Sequence, residues 1–106
     1  MISLTDLAAS ALEKTRAGKL IWSELGPDAF VANIGDNSVM IRSRANRFEL
    51  TFRDSVGRVL DRMDSDSPGV TQQIIGIQEE LYELARRQAL KVDEALMEIK
   101  RKLDTL

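Results

Sequence analysis

The sequence contains no cysteine and no histidine among its 106 residues. Without cysteine, disulfides and thiolate metal sites are impossible, and a reducing compartment is compatible with the composition. Without histidine, the commonest general base and metal ligand is missing. Only carboxylate–oxygen sites for hard cations stay open, and no cofactor is expected. Ser–Lys or carboxylate-assisted schemes are the remaining routes to a nucleophile. None of Lys14, Lys19, Lys91, Lys100 and Lys102 lies in a Ser-x-x-Lys pattern. Long apolar runs are also absent, and the N-terminus lacks a cationic start followed by an apolar stretch. No membrane span or targeting segment is therefore expected, and the chain reads as cytoplasmic. These absences point away from an enzyme.

What remains is ordinary for a globular protein, with 43% hydrophobic and 30% charged residues. That balance excludes wholesale disorder, and the length suits one domain spanning residues 1–106 with a single core. Charge is unevenly spread. The stretch 38–62 is basic, with six arginines against three acids, whereas 63–106 is acidic. The asymmetry suits docking or self-association and falls short of the excess of a dedicated nucleic-acid binder.

Three turn-like segments organise the middle of the chain: Gly35-Asp36-Asn37-Ser38, Arg44-Ala45-Asn46-Arg47 and Asp54-Ser55-Val56-Gly57. With Asp36-Asn37 and Ala45-Asn46 as two-residue hairpin loops, Ile34 faces Val39, Ala32 faces Ile41, Ile41 faces Leu50 and Val39 faces Phe52. All these apolar residues then share one side, together with Phe30 and Phe48. Arg42 stands opposite Glu49 on the other side, an attractive cross-strand arrangement. Strands are expected at about Leu20–Ser23, Ala29–Ile34, Ser38–Arg44, Arg47–Arg53 and Arg58–Met63. In the last strand Val59 and Met63 face inward, bringing Asp61 with them.

Helices flank the strands. Thr5 or Ser3 caps the first, which runs to about Arg16 and ends at Gly18. After the polar connector Asp64–Gly69, with Ser67 or Thr71 as the cap, the rest is helical. Val70, Ile74, Ile77, Leu81 and Leu84 form one apolar stripe; Ala85, Ala89, Val92, Leu96, Ile99, Leu103 and Leu106 form another, shifted in phase. One unbroken helix over 70–105 would extend ~54 Å at ~1.5 Å per residue. A break at Val92-Asp93, with Asp93 as cap, gives two helices of about 70–89 and 93–105 instead. The fold expected is α+β: an N-terminal helix, an antiparallel meander of four or five strands, and one long or two short C-terminal helices packed on one sheet face.

Candidate binding residues fall into three groups. The outer sheet face carries Arg42, Arg44, Arg53, Arg58 and Arg62, with Val31, Met40, Thr51, Leu60 and Glu49 among them. Arginines can hold phosphates, but single-strand recognition also wants stacking aromatics, and all three phenylalanines fall on the opposite face. The plainer reading is that arginine stems cover the sheet. Trp22, the only tryptophan, is a core residue by default and an interface anchor on the sharper reading. Finally, Ile75, Tyr82, Leu90 and Met97 recur at steps of seven or eight, a second apolar line that either a partner helix or second copy covers, or that is buried because the helix sits deep within one domain. Asp61, Asp64 and Asp66 do not match the spacing of a calcium loop and read as a polar linker.

The combination Lys14-Thr15-x-x-Gly18-Lys19-Leu20-x-Trp22, the hairpins, and Leu81-Tyr82-Glu83-Leu84-Ala85-Arg86-Arg87-x-Ala89-Leu90 followed by Val92-Asp93-x-Ala95-Leu96 resembles small bacterial α+β domains with no established activity. The resemblance implies a bacterial or phage cytoplasmic protein and carries no functional residue with it. The function expected is a non-enzymatic protein-interaction module, homodimeric, serving as an adaptor, chaperone-like or regulatory subunit. The alternative is a nucleotide or nucleic-acid binder using the arginine face.

Overall fold

Ser3 opens the first helix: its hydroxyl accepts the Asp6 N–H at 3.1 Å, which satisfies one of the donors a helix start leaves free. The computed structural model describes residues 2–106, and in it α1 spans Leu4–Arg16. Gly18 takes φ 72°, letting its own N–H reach the Thr15 carbonyl at 3.1 Å and the Lys19 N–H reach the Lys14 carbonyl at 2.9 Å. This paired closure needs a left-handed residue after the cap, which glycine supplies without strain. Leu20 is drawn into the same closure through Lys14, so the first strand starts later than its sequence suggests, as β1 Trp22–Gly26.

Four more strands follow: β2 Ala29–Ile34, β3 Asn37–Arg44, β4 Arg47–Arg53 and β5 Val59–Asp64. They form one antiparallel sheet in chain order, the meander expected. The β3–β4 hairpin has the expected register, with Ile41 opposite Leu50 and Val39 opposite Phe52. The β2–β3 hairpin does not. Its loop is Gly35-Asp36 rather than Asp36-Asn37, so Ala32 faces Val39 and Phe30 faces Ile41. Gly35 at φ 61° takes the first loop position and Asp36 is not left-handed, the arrangement of a type II′ turn. The shift is two residues, so it leaves every side chain on the face the alternation assigned it.

That inner face holds Phe30, Ala32, Val39, Ile41, Leu50, Phe52 and Met63, all buried in one cluster with Ala8, Leu12, Trp22, Leu81 and Ala85. Ile34 and Val59 depart from expectation, at 44% and 55% exposed. Ile34 is the last residue before its turn. Val59 pairs with Arg53 across a bulge that follows the Phe52–Asp61 pair, so its inward alternation is lost. Asp61, opposite Phe52, keeps the alternation with Met63 as expected and lies exposed on the edge strand.

The C-terminal third is two helices, α2 Gln72–Ala89 and α3 Val92–Asp104. Thr71, not Ser67, caps α2, accepting the Ile74 N–H at 3.3 Å. Two glutamines show how α2 lies. Gln78 donates to the Met63 carbonyl on β5 at 2.9 Å, and Gln88 accepts the Trp22 N–H on β1 at 2.6 Å. These residues are about 15 Å apart along the helix, and four strand spacings are about 19 Å. The helix therefore crosses the strands from one edge of the sheet to the other. It occupies one polar group on each edge strand as it does so, which limits edge pairing. α1 packs beside α2, with Arg16 and Glu80 ion-paired between them.

The break between α2 and α3 falls at Leu90-Lys91, ahead of the expected Val92-Asp93. Lys91 takes a left-handed φ of 52° and offers no side-chain cap. Asp93 is therefore not the cap. It lies in the first turn of α3, where an acid suits the helix dipole, and binds Arg87 of α2 at 2.7 Å.

Candidate functional site

Three surfaces were singled out by sequence, and the fold treats them differently. Trp22 lies on β1 facing the helices and is 3% exposed, so the anchor reading does not apply to it. Its indole N–H donates to the Thr15 hydroxyl at 3.0 Å, and that hydroxyl donates to the Ala11 carbonyl at 2.7 Å. The ring thus ties β1 to α1, and its polar edge is satisfied inside the core.

Tyr82 does not belong to an exposed line with Ile75, Leu90 and Met97. It sits on the sheet side of α2 between Phe30 and Phe48, with ring centroids at 5.6 and 5.5 Å. Its hydroxyl donates to Asp28 at 3.2 Å. Burial, helped by the Asp28 carboxylate, pushes the phenol above its ordinary value, so it stays a neutral donor. The turn at Lys91 further separates Tyr82 from Met97, because it resets the direction of the chain. Leu90 and Met97 are exposed, and no continuous second stripe connects them.

The arginine face is present as the register implies. Met40 and Thr51 point away from the helices and are nevertheless buried. Around them stand Arg42, Arg53 and Arg62, whose stems cover what no helix covers. Arg62 lies 3.7 Å from Asp64, Arg58 binds Asp54 at 2.8 Å, and Arg47 binds Asp66. Arg42, Arg44 and Arg53 form no ion pair among the described residues. Arg42 and Glu49 are opposite each other without closing an ion pair. Glu49 instead takes a long, 3.5 Å hydrogen bond from Thr51. A shallow, broadly open groove of about 760 Å³ lies beside Pro27, Asp28, Arg42 and Arg44. No aromatic side chain lines it, so stacking is not available there. Among the described residues, no three acidic side chains gather as a possible metal site. Among the described residues, no helix is long and apolar enough to cross a membrane.

The surface with the clearest unmet demand is one that the sequence assigned to the core. α3 has Val92, Leu96, Ile99 and Leu103 along one side, continued by Leu106, and not one of its residues is buried. Leu96 and Ile99 are each 52% exposed and Leu103 is 59% exposed. Several of its charges are paired along the helix: Lys100 holds Asp104 at 2.7 Å, and Arg101 holds Glu98 at 3.1 Å. Much of its charge is therefore paired, and its apolar side chains are left uncovered. Met97 projects from the other side, away from this stripe. The available signal was the phase shift between the two C-terminal stripes, which indicates that one helix cannot bury both against the same sheet.

No family model, no curated protein and no solved structure matches this chain.

Proposed function

We propose that this protein is a non-enzymatic interaction module whose working surface is the apolar stripe of α3, used for self-association or for docking a protein partner. One observation carries the reading. A thirteen-residue helix is marginal on its own in water, and helices in proteins owe most of their stability to packing an apolar face. α3 has that face and packs almost none of it. The composition agrees, because the chain has neither histidine nor cysteine, and α3 sets Leu96, Ile99 and Leu103 in one exposed row along a single helix side.

Replacing Ile99 and Leu103 together by glutamate tests the reading. Both are exposed, so the circular dichroism melt of α1, the sheet and α2 should stay as in the wild type. Any concentration-dependent association, measured by sedimentation, should disappear, as should retention of a captured protein. Association at full strength in the double variant would place the working surface elsewhere.

A further inference from the structure

We infer that the occupant of the α3 face is a second copy of this chain, with the two α3 helices pairing antiparallel about a twofold axis. The inference rests on reading α3 as the working surface and adds the partner and its orientation. Val92, Leu96, Ile99 and Leu103 are spaced by four, three and four residues, the alternation of a helix–helix seam. Antiparallel packing places Val92 against the partner's Leu103 and Leu96 against the partner's Ile99. Symmetry repeats both contacts, giving four apolar layers.

Charge decides the orientation. Asp93 and Lys100 are seven residues apart and flank the seam on the same side, each one position beyond an apolar seam residue. In the antiparallel register, Asp93 lies beside the partner's Lys100, and Lys100 beside the partner's Asp93, each adding to the ion pair it already makes within its own chain, with Arg87 and Asp104. The other flank carries Ala95 and Lys102, with no like-charge clash. A parallel pair forfeits both attractions, because it aligns Lys100 with the partner's Ala95. It would also set two acidic first turns, Asp93 and Glu94, side by side. Antiparallel pairing instead brings the acidic first turn to the basic last turn, Arg101 and Lys102. It also leaves the two bodies at opposite ends of a seam about 20 Å long, where they do not collide. Four layers make a small interface, so the dimer belongs to the weak, reversible class.

Charge exchange tests the geometry in the full chain. Asp93→Lys alone sets lysine against the partner's Lys100, and Lys100→Asp alone sets aspartate against the partner's Asp93. Each variant should self-associate about tenfold more weakly than the wild type at low salt. An equimolar mixture of the two should form a one-to-one heterodimer at wild-type strength, because both cross-pairs are attractive again. Mixing cannot repair a folding defect, so recovery isolates the contact. A mixture no tighter than either variant alone, or variants that dimerise like the wild type, would overturn the antiparallel register. A wild type that remains monomeric at high micromolar concentration would overturn self-pairing. In that case the interaction reading still stands if a captured protein is lost on Ile99→Glu with Leu103→Glu. It falls if that double variant changes no association at all.

Discussion

α2 and α3 are consecutive amphipathic helices in the same acidic third of the chain, yet they meet opposite fates. α2 presents Gln78, Leu81 and Ala85, all fully buried, and its small residues allow close approach to the sheet. It also has polar partners at each edge strand, through Gln78 and Gln88. α3 is no less patterned, but the left-handed turn at Lys91 sends it away from the sheet and no residue of it is buried. The comparison separates amphipathicity, which both helices have, from burial, which only α2 has.

The largest expected effect comes from making the same substitution in both helices. Leu81→Ala should lower the free energy of unfolding by about 3 kcal/mol, since it opens a cavity in the core. Leu103→Ala in dilute protein should change it by less than about 0.5 kcal/mol, as for other exposed positions. Urea denaturation at low micromolar concentration measures both. Equal losses would mean that α3 is as integral to the body as α2.

Hydrogen exchange sharpens the contrast. In dilute solution the amides of α3 should exchange far sooner than those of α2 facing the sheet, because local opening of an unpacked helix is easy. Raising the concentration should slow exchange in α3 and leave α2 unchanged. Protection of α3 that is independent of concentration would argue against self-pairing.

Within the body, the β3–β4 turn offers a gain. Ala45 and Asn46 have φ values of 49° and 66°, the type I′ pair, and alanine is poorly suited to that region. Ala45→Gly should raise stability by roughly 1 kcal/mol, read from the denaturation midpoint, without touching association.

The smallest effect concerns the β4–β5 turn. The Arg58 backbone N–H above all, then the Arg58 guanidinium and the Val56 N–H, hold the Asp54 carboxyl below the usual carboxylate range. A depressed folded value contributes stability above the ordinary, unfolded value of about 3.9 and loses it as pH falls through the folded one. Asp54→Asn should therefore be less stable than the wild type near neutrality, with the difference closing in acid. A gap independent of pH would show that the carboxylate charge is not what closes this turn.

The meander was legible because period-two alternation and turn residues agree over β2, β3 and β4. The two-residue slip at Gly35-Asp36 was not, because a shift of two preserves both faces and only turn geometry tells the registers apart. The bulge beside Val59 was hidden for a related reason: alternation cannot show where one strand gains a residue. In the candidate surface, the arginine face followed directly from the strand pattern. Tyr82 left the second apolar line because the sheet-facing side of α2 includes it, between Phe30 and Phe48, and Leu96, Ile99 and Leu103 left the core because of the direction α3 takes after the break.

The sequence by itself determined the α+β class, the order of the elements and which residues can face a core, because these follow from local periodicity, caps and turns. Only the tertiary structure decided which apolar stripe is buried. One sheet face has room for a limited helical layer, and α1 and α2 fill it. The left-handed Lys91 then turns α3 outward, so its leucines and isoleucine lie in solvent while Trp22 and Tyr82, the residues most suited to an interface, are used inside.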